Sequence, residues 1–530
     1  MRRLITILVT VLMLTSVVGG TASAQSLFGQ EEQTEEPEVV RYGSDSVPSF
    51  VLVYRDGNSG QVESWANSSD RREVHSINNR TNVAVVSTHE WDAMGVSLRN
   101  VPVGVGVLDA IMSDPLAETP WVKSIGLNYR LSLAEPIDRP MNESRYEPPS
   151  KNFGYSNYDV PTKGIAFDSD ANETNMDDSR RALGVDNTTA TGGSDTRPFA
   201  IVDTGIATAD GEVFGNGTVG SSTRVLNAST NTITNETIDR NGTNAVLDGN
   251  GHGTWVASAA AANTSNDVQD GVAPDAELLI LKALDDEGSG KTVDIVESIR
   301  YAADQNASVI SMSLGSPVYS DAIADATQYA EEQGSLVVVA AGNSRLTRSP
   351  GIGNPADVGG VISVAAVTGE EPNSSKVAYF SQYSGPQASD GNPVNKERVD
   401  IAAPGFKTTA LVVTDGGIVT NETLSGTSMA TPMVGAGAYI VRSQNQDMDV
   451  SESRNRVLRG ARAIPNAGHK DVGNGMFALD NSLSDEEGTD QMSNRTDAAQ
   501  SRDLVYDDVS DSFLPFDSFS LPVVGATAAT

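Results

Sequence analysis

The chain has 530 residues, 70 of them Asp or Glu against 36 Lys or Arg, for a formal net charge of −34. That excess argues against nucleic acid and anionic membranes as partners, because both repel a polyanion. No Cys is present, which excludes disulfides and thiolate metal sites, and the 4 His show no ligand-spaced pair, which argues against a zinc enzyme. The basic residues are mostly Arg rather than Lys. Salt screens like-charge repulsion over a Debye length of ~3 Å at 1 M, so this acidic balance suits a very salty medium.

Met1-Arg2-Arg3 precedes an apolar run, and Ala22-Ser23-Ala24 offers an A-x-A cleavage site. Residues 1–24 therefore read as a secretory signal peptide, and the mature protein as extracellular. Residues 25–47 are an acidic linker without apolar period. In residues 48–135, strands are expected at 50–54, 82–86 and across 122–134, with helices near 64–74 and 105–112. That order approaches β-α-β-β-α-β, a small α+β domain. Residues 136–194, rich in Pro, Asn, Asp, Ser and Tyr, read as linker and lead-in.

Residues 198–202 form an apolar strand that delivers Asp203 at its C-terminal end, where the sites of open α/β sheets gather. The Asn/Gly/Ser/Thr-dense run 216–250 reads as surface loop, and His252 opens a helix over 254–262. Strands at 278–282, 308–312, 336–340, 361–367 and 399–402 alternate with helices at 292–304 and 322–333, and a Gly/Ala-rich buried helix covers 434–441. Such strands are continuous apolar runs, as a parallel sheet covered on both faces requires. The fold class is α/β: a doubly wound, mostly parallel sheet preceded by the small α+β domain. A helix at 452–461 and a strand at 473–477 close a domain spanning 195–483, and residues 484–530 read as an acidic disordered tail. The apolar end 521–530 is far shorter than the ~20 residues of a membrane span.

The chemistry concentrates in Gly426-Thr427-Ser428-Met429-Ala430-Thr431-Pro432. On its own, Ser428 reads equally as a helix cap or as a nucleophile beside the free N–H groups of a first helical turn. Upstream stand Val202-Asp203-Thr204-Gly205 and Gly251-His252-Gly253-Thr254, in the chain order Asp, His, Ser. These three motifs together resemble the signature motifs of the subtilases, the subtilisin-like serine peptidases, and the acidic composition suits a halophilic, halolysin-like member.

The resemblance implies a serine endopeptidase with Asp203, His252 and Ser428 as catalytic triad. It implies Asn343, in Ala340-Ala341-Gly342-Asn343, as a side-chain donor to the oxyanion. Gly288, Ser289, Gly290, Ser313, Leu314 and Gly315 would bind an extended substrate strand, with Ala340, Ala341 and Gly342 walling the pocket before the scissile bond. Those small apolar walls suit large apolar or aromatic side chains. No cofactor is required for this chemistry; structural calcium is a candidate near residues 263–267, with no ligands assigned. The partners implied are polypeptide substrates and the chain's own N-terminal domain as an intramolecular inhibitor, in a monomeric enzyme made as a zymogen. Asp203-Thr204-Gly205 also matches the aspartic-peptidase tripeptide, but that chemistry needs two such carboxylates and the chain has one D-T-G. The sedolisins share the G-T-S motif but lack the His. A catalytically inactive secreted binding protein on the same scaffold is the alternative reading.

Overall fold

The computed structural model describes residues 38–484, apart from 43–46, 89–118, 134–163, 169–170, 193–196, 208–213, 215–223, 265–269, 317, 346–350, 370, 386–397, 415–417 and 466. The expected signal peptide, most of the acidic linker, the helix at 105–112 and the C-terminal tail lie outside the described residues.

Phe199–Asp203 occupies the middle of a ten-stranded, mostly parallel sheet. It pairs in parallel with Leu278–Lys282 on one edge and Val309–Met312 on the other. Leu336–Ala340, Ile362–Thr368 and Ile401–Phe406 continue the parallel ladder. Side chains alternate along a strand. Phe199, Ile201, Leu278 and Val309 therefore enter the layer of helices His252–Ala261 and Thr427–Gln444. Ala200, Val202, Leu279 and Ile310 enter that of helices Thr292–Asp304 and Asp321–Glu332. With both faces covered there is no polar register left, which is why the strands are apolar throughout. Each fully buried Val, Leu or Ile contributes about 1.5–3 kcal/mol.

The helix starts are chemically marked. Ser320 caps Asp321–Glu332 by accepting from the Ile323 N–H (3.4 Å), and Asp294 accepts from the Lys291 N–H (3.0 Å) at the start of Thr292–Asp304.

An antiparallel sheet precedes this body. Val47–Tyr54 pairs with Val83–Thr88, which pairs with Arg72–Asn78, and Val122–Leu127 pairs with Val47–Tyr54. Its apolar face shares one core with the layer of helices Thr292–Asp304 and Asp321–Glu332. The helix expected at 64–74 is instead Ser59–Asn67, and Arg72–Asn78 is a strand. A tight hairpin turning at Asn82, whose φ is 55°, brings that strand onto Val83–Thr88, and the ladder overrides its weak local pattern.

Three other expectations change. The run 216–250 is partly structured: Thr230–Asn231 and Glu236–Thr237 extend the main sheet, and Ile238, Ala245 and Val246 are buried. The closing strand at 473–477 is reduced to isolated bridges of Met476 to Ala402 and Arg462, behind the short helix His469–Val472. A hairpin of Thr408–Thr414 and Ile418–Leu424, absent from the sequence reading, leads directly into the Ser428 segment.

Candidate active site

Asp203 stands at the carboxyl end of the central strand, where the sheet's order runs away in both directions. Its Oδ1 accepts from the Thr204 N–H and lies 2.8 Å from His252 Nδ1. Asp203 is 1% exposed and His252 5%, so the carboxylate is removed from water and the imidazole is its hydrogen-bonding neighbour. An ionised carboxylate can only accept, so Nδ1 carries the proton and Nε2 is the basic nitrogen.

His252 is the first residue of its helix, and the adjoining Gly253 permits that placement. A Cβ on Gly253 would stand 2.3 Å from the Gly205 carbonyl oxygen, so only glycine lets the helix end dock against the Asp203 turn. The Gly253 N–H also donates to Thr204 Oγ1 (2.8 Å).

Ser428 is the second residue of Thr427–Gln444, a helix packed against His252–Ala261. Pro432 lies inside this helix and has no N–H to give to the carbonyl four residues earlier, that of Ser428. Ser313 Oγ donates to that carbonyl instead (2.9 Å), and Ser428 Oγ donates back to the Ser313 carbonyl (3.1 Å). This reciprocal clasp ties the start of the helix to the strand end after Val309–Met312.

Asn343 follows the strand Leu336–Ala340. The Thr427 N–H can only donate, so the side-chain atom 2.8 Å from it must be Oδ1, which also accepts from Thr427 Oγ1 (2.9 Å). The amide's Nδ2 therefore faces the Gly426–Ser428 backbone, and a Cβ built on Gly426 would lie 3.1 Å from it. Gly342, at φ 109°, makes the turn that presents Asn343; a Cβ there would fall 1.8 Å from Gln382 Oε1. Ala340, Ala341 and Gly342 are buried.

The remaining sequence-predicted residues come together around one strand of the same chain. Arg130–Leu133 is the middle strand of a three-stranded antiparallel sheet, with Ser289–Lys291 on one side and Leu314–Gly315 on the other. Leu133 pairs with Leu314, and its N–H donates to the Gly288 carbonyl (2.9 Å). Leu131 and Leu133 are buried, at 2% and 8% exposure.

Two polar groups near the site were not singled out in the sequence. Lys282 pairs with Asp203 across the ladder, and its buried Nζ donates to the Thr204 carbonyl (2.6 Å) and to Asp286 Oδ1 (2.8 Å). Asp248, four residues before His252, accepts from Thr204 Oγ1 (2.9 Å). Its Asp-Gly-Asn-Gly setting reads as an ordinary turn; only the carboxylate's closeness to the His motif was a signal.

The segment 198–497, more than half of the chain, matches the model of the Subtilase family of S8 peptidases. The chain belongs to the subtilase family. This subtilase is 38% identical to thermitase of Thermoactinomyces vulgaris over 230 residues, covering 43% of the chain and 71% of thermitase. It is 34% identical to subtilisin DY of Bacillus licheniformis over 258 residues, 48% of the chain and 80% of that protein. Against a subtilisin of Bacillus sp. strain TA39 it is 42% identical over 200 residues, 36% of the chain and 46% of that protein. Fervidolysin of Fervidobacterium pennivorans, a keratinolytic enzyme related to subtilisin, shares the fold at a TM-score of 0.57 and 21% identity; the match covers 86% of this chain and 64% of that one. The subtilase is a serine-type endopeptidase, and its family's chemistry needs no cofactor.

Residues 265–269, most of the loop expected to hold calcium, lie outside the described residues. Of the residues beside them, Asn263 Nδ2 donates to the Pro274 carbonyl, Asp270 Oδ1 accepts from the Thr264 N–H and hydroxyl, and Arg180 lies 3.8 Å from Asp270.

Proposed function

We propose that this subtilase is a secreted endopeptidase, working as a monomer at high salt and made as a zymogen whose N-terminal part blocks the substrate cleft. The Ser428 hydroxyl turns from the Ser313 carbonyl to His252 Nε2, which takes its proton as Oγ attacks the substrate carbonyl; the proton then passes to the leaving amine as the acyl-enzyme forms. Asp203 holds His252 in the required tautomer and stabilises the imidazolium. Asn343 Nδ2 and the Ser428 N–H stabilise the oxyanion. Water repeats the sequence in reverse to release the acid. Substrate adds as a strand between 288–290 and 313–315, with Ala340, Ala341 and Gly342 walling the pocket for a large apolar or aromatic residue before the scissile bond.

The observation that carries the zymogen reading is the strand Arg130–Leu133 between Ser289–Lys291 and Leu314–Gly315. It uses the backbone groups an extended substrate would use, so one excludes the other. In that register Leu133 faces Leu314, the neighbour of Ser313, whose carbonyl holds Ser428 Oγ. Maturation is then expected to cut within the first few residues beyond Leu133.

The test is intact mass in high salt with a serine-directed fluorophosphonate, comparing the wild-type chain with Ser428→Ala. The expected result is a shortened, labelled wild-type chain and an uncut, unlabelled variant. Shortening of purified Ser428→Ala would refute self-cleavage. A folded, matured wild type that takes no label would refute the triad.

A further inference from the structure

The loop ahead of His252 carries a carboxylate that the reaction scheme does not use. Asp248 Oδ1 accepts from Thr204 Oγ1 (2.9 Å) and from the backbone N–H groups of Asn250 (3.0 Å) and Gly251 (2.9 Å). Its Oδ2 accepts from the Thr254 N–H (2.8 Å) and hydroxyl (2.6 Å). Both oxygens are thus turned inward, and every partner is a donor. The helix His252–Ala261 has no side-chain cap at Gly251, so Asp248 supplies from four residues upstream the acceptor that an N-cap residue would give.

The same contacts form a latch between the two triad segments. Thr204, next to Asp203, donates its hydroxyl to Asp248 and accepts from the Gly253 N–H (2.8 Å). Thr254, two residues beyond His252, donates its hydroxyl to Asp248 and accepts from the Ala207 N–H (2.9 Å). Backbone bonds of Ile206 to Val246 and Asp248 to Ile206 close the arrangement. We infer that Asp248 is a positioning residue for the hydrolytic reaction, holding His252 at its distance from Asp203 by clamping the strand end 204–207 to the first turn of the His252 helix. The inference rests on the triad reading.

The charge state of the latch agrees with this role. Burial pushes the Asp248 carboxyl up, but the bonds from Thr254, Gly251 and Thr204 outweigh it and hold the pKa below the usual carboxylate value. The charged groups facing this region are Asp203 and Lys282 from the sheet, His252 from the helix and Asp286 from the loop that receives the Gly249 N–H. Lys282 is already paired with Asp286, so removing the Asp248 charge leaves the start of the His252 helix with less negative surroundings.

The test compares wild type, Asp248→Asn and Asp248→Glu as matured enzyme, after a melting curve at working salt shows each to be folded. In Asp248→Asn the amide must turn its NH2 toward N–H donors on one side or the other, so one arm of the latch opens. The expected result is kcat lower by roughly 10²-fold, the scale of a 1 Å misplacement. KM should stay within about 2-fold, because substrate does not touch Asp248. Labelling of Ser428 by fluorophosphonate should slow in proportion to kcat, the acid limb of kcat/KM should move to lower pH, and Asp248→Glu should recover part of kcat. A kcat within about 2-fold of wild type overturns the inference, as does an acid limb that stays in place. If Asp248→Asn does not fold, Thr204→Val opens the strand arm alone and carries the same kcat criterion. A wild-type enzyme that takes no label overturns the triad reading and this one together; a folded Asp248→Asn enzyme labelled at the wild-type rate overturns this one alone.

Discussion

Glu297 makes the attachment of the N-terminal sheet depend on pH. It lies on the helix Thr292–Asp304, is 7% exposed, and accepts from Asn78 Nδ2 of the N-terminal sheet (2.9 Å). Burial raises its carboxyl from 4.5 to about 7; the Asn78 bond opposes this and nearby Asp294 adds to it. The native state therefore binds a proton more tightly than the unfolded chain. The stability this contributes is complete below about pH 4.5 and is lost as pH rises through about 7. At about 1.4 kcal/mol per tenfold, the loss is at most about 3 kcal/mol. Glu297→Gln keeps an acceptor for Asn78 and removes the titration. In the full-length Ser428→Ala chain, urea unfolding at constant high salt should show the Gln chain about 2–3 kcal/mol more stable than the Glu chain near pH 8, and the two within about 0.5 kcal/mol near pH 4. Asp294, also raised by burial to about 6, adds its own slope to both chains, and only its coupling to Glu297 remains in their difference. A difference that does not change with pH would refute the reasoning. The expected consequence for function is that mildly alkaline conditions weaken the hold of the N-terminal sheet on the helix that carries Glu297.

Asn343→Ala should lower kcat by about 10²–10³-fold in the active enzyme with KM little changed, because it removes the donor proposed for the developing oxyanion; steady-state kinetics on a peptide substrate checks this, and a loss under about 3-fold would remove Asn343 from the oxyanion site. Circular dichroism should show loss of structure between ~3 M and ~0.1 M salt, because the net charge of −34 is then unscreened. Unchanged spectra would remove the halophilic reading.

Much of this protein was legible from local chemistry. An apolar run such as 199–202 has one economical placement, a strand covered on both faces, and its end delivers Asp203 to the edge where sites form. Gly-His-Gly and Gly-Thr-Ser ahead of helical runs announce side chains at helix starts, because glycine permits close approach and the first turn leaves N–H groups free. The weak places were those where local pattern and pairing disagree. Arg72–Asn78 has too little period to declare itself until Val83–Thr88 lies beside it, and Thr230–Asn231 looks like loop until Leu278–Lys282 offers its edge.

Composition and motif thus determined the residue types, the doubly wound order and the family chemistry. Tertiary structure alone decided which groups meet. Arg130–Leu133 joins strands more than 150 residues away, through backbone bonds that any sequence can make. Ser313 supplies the bond that Pro432 withholds from Ser428, and Asn343 is aimed by Thr427. Asp248 latches two segments that only the sheet brings side by side. A hydrogen bond needs its partner within about 3 Å at a suitable angle, and at such separations the intervening chain, not the local sequence, sets that distance.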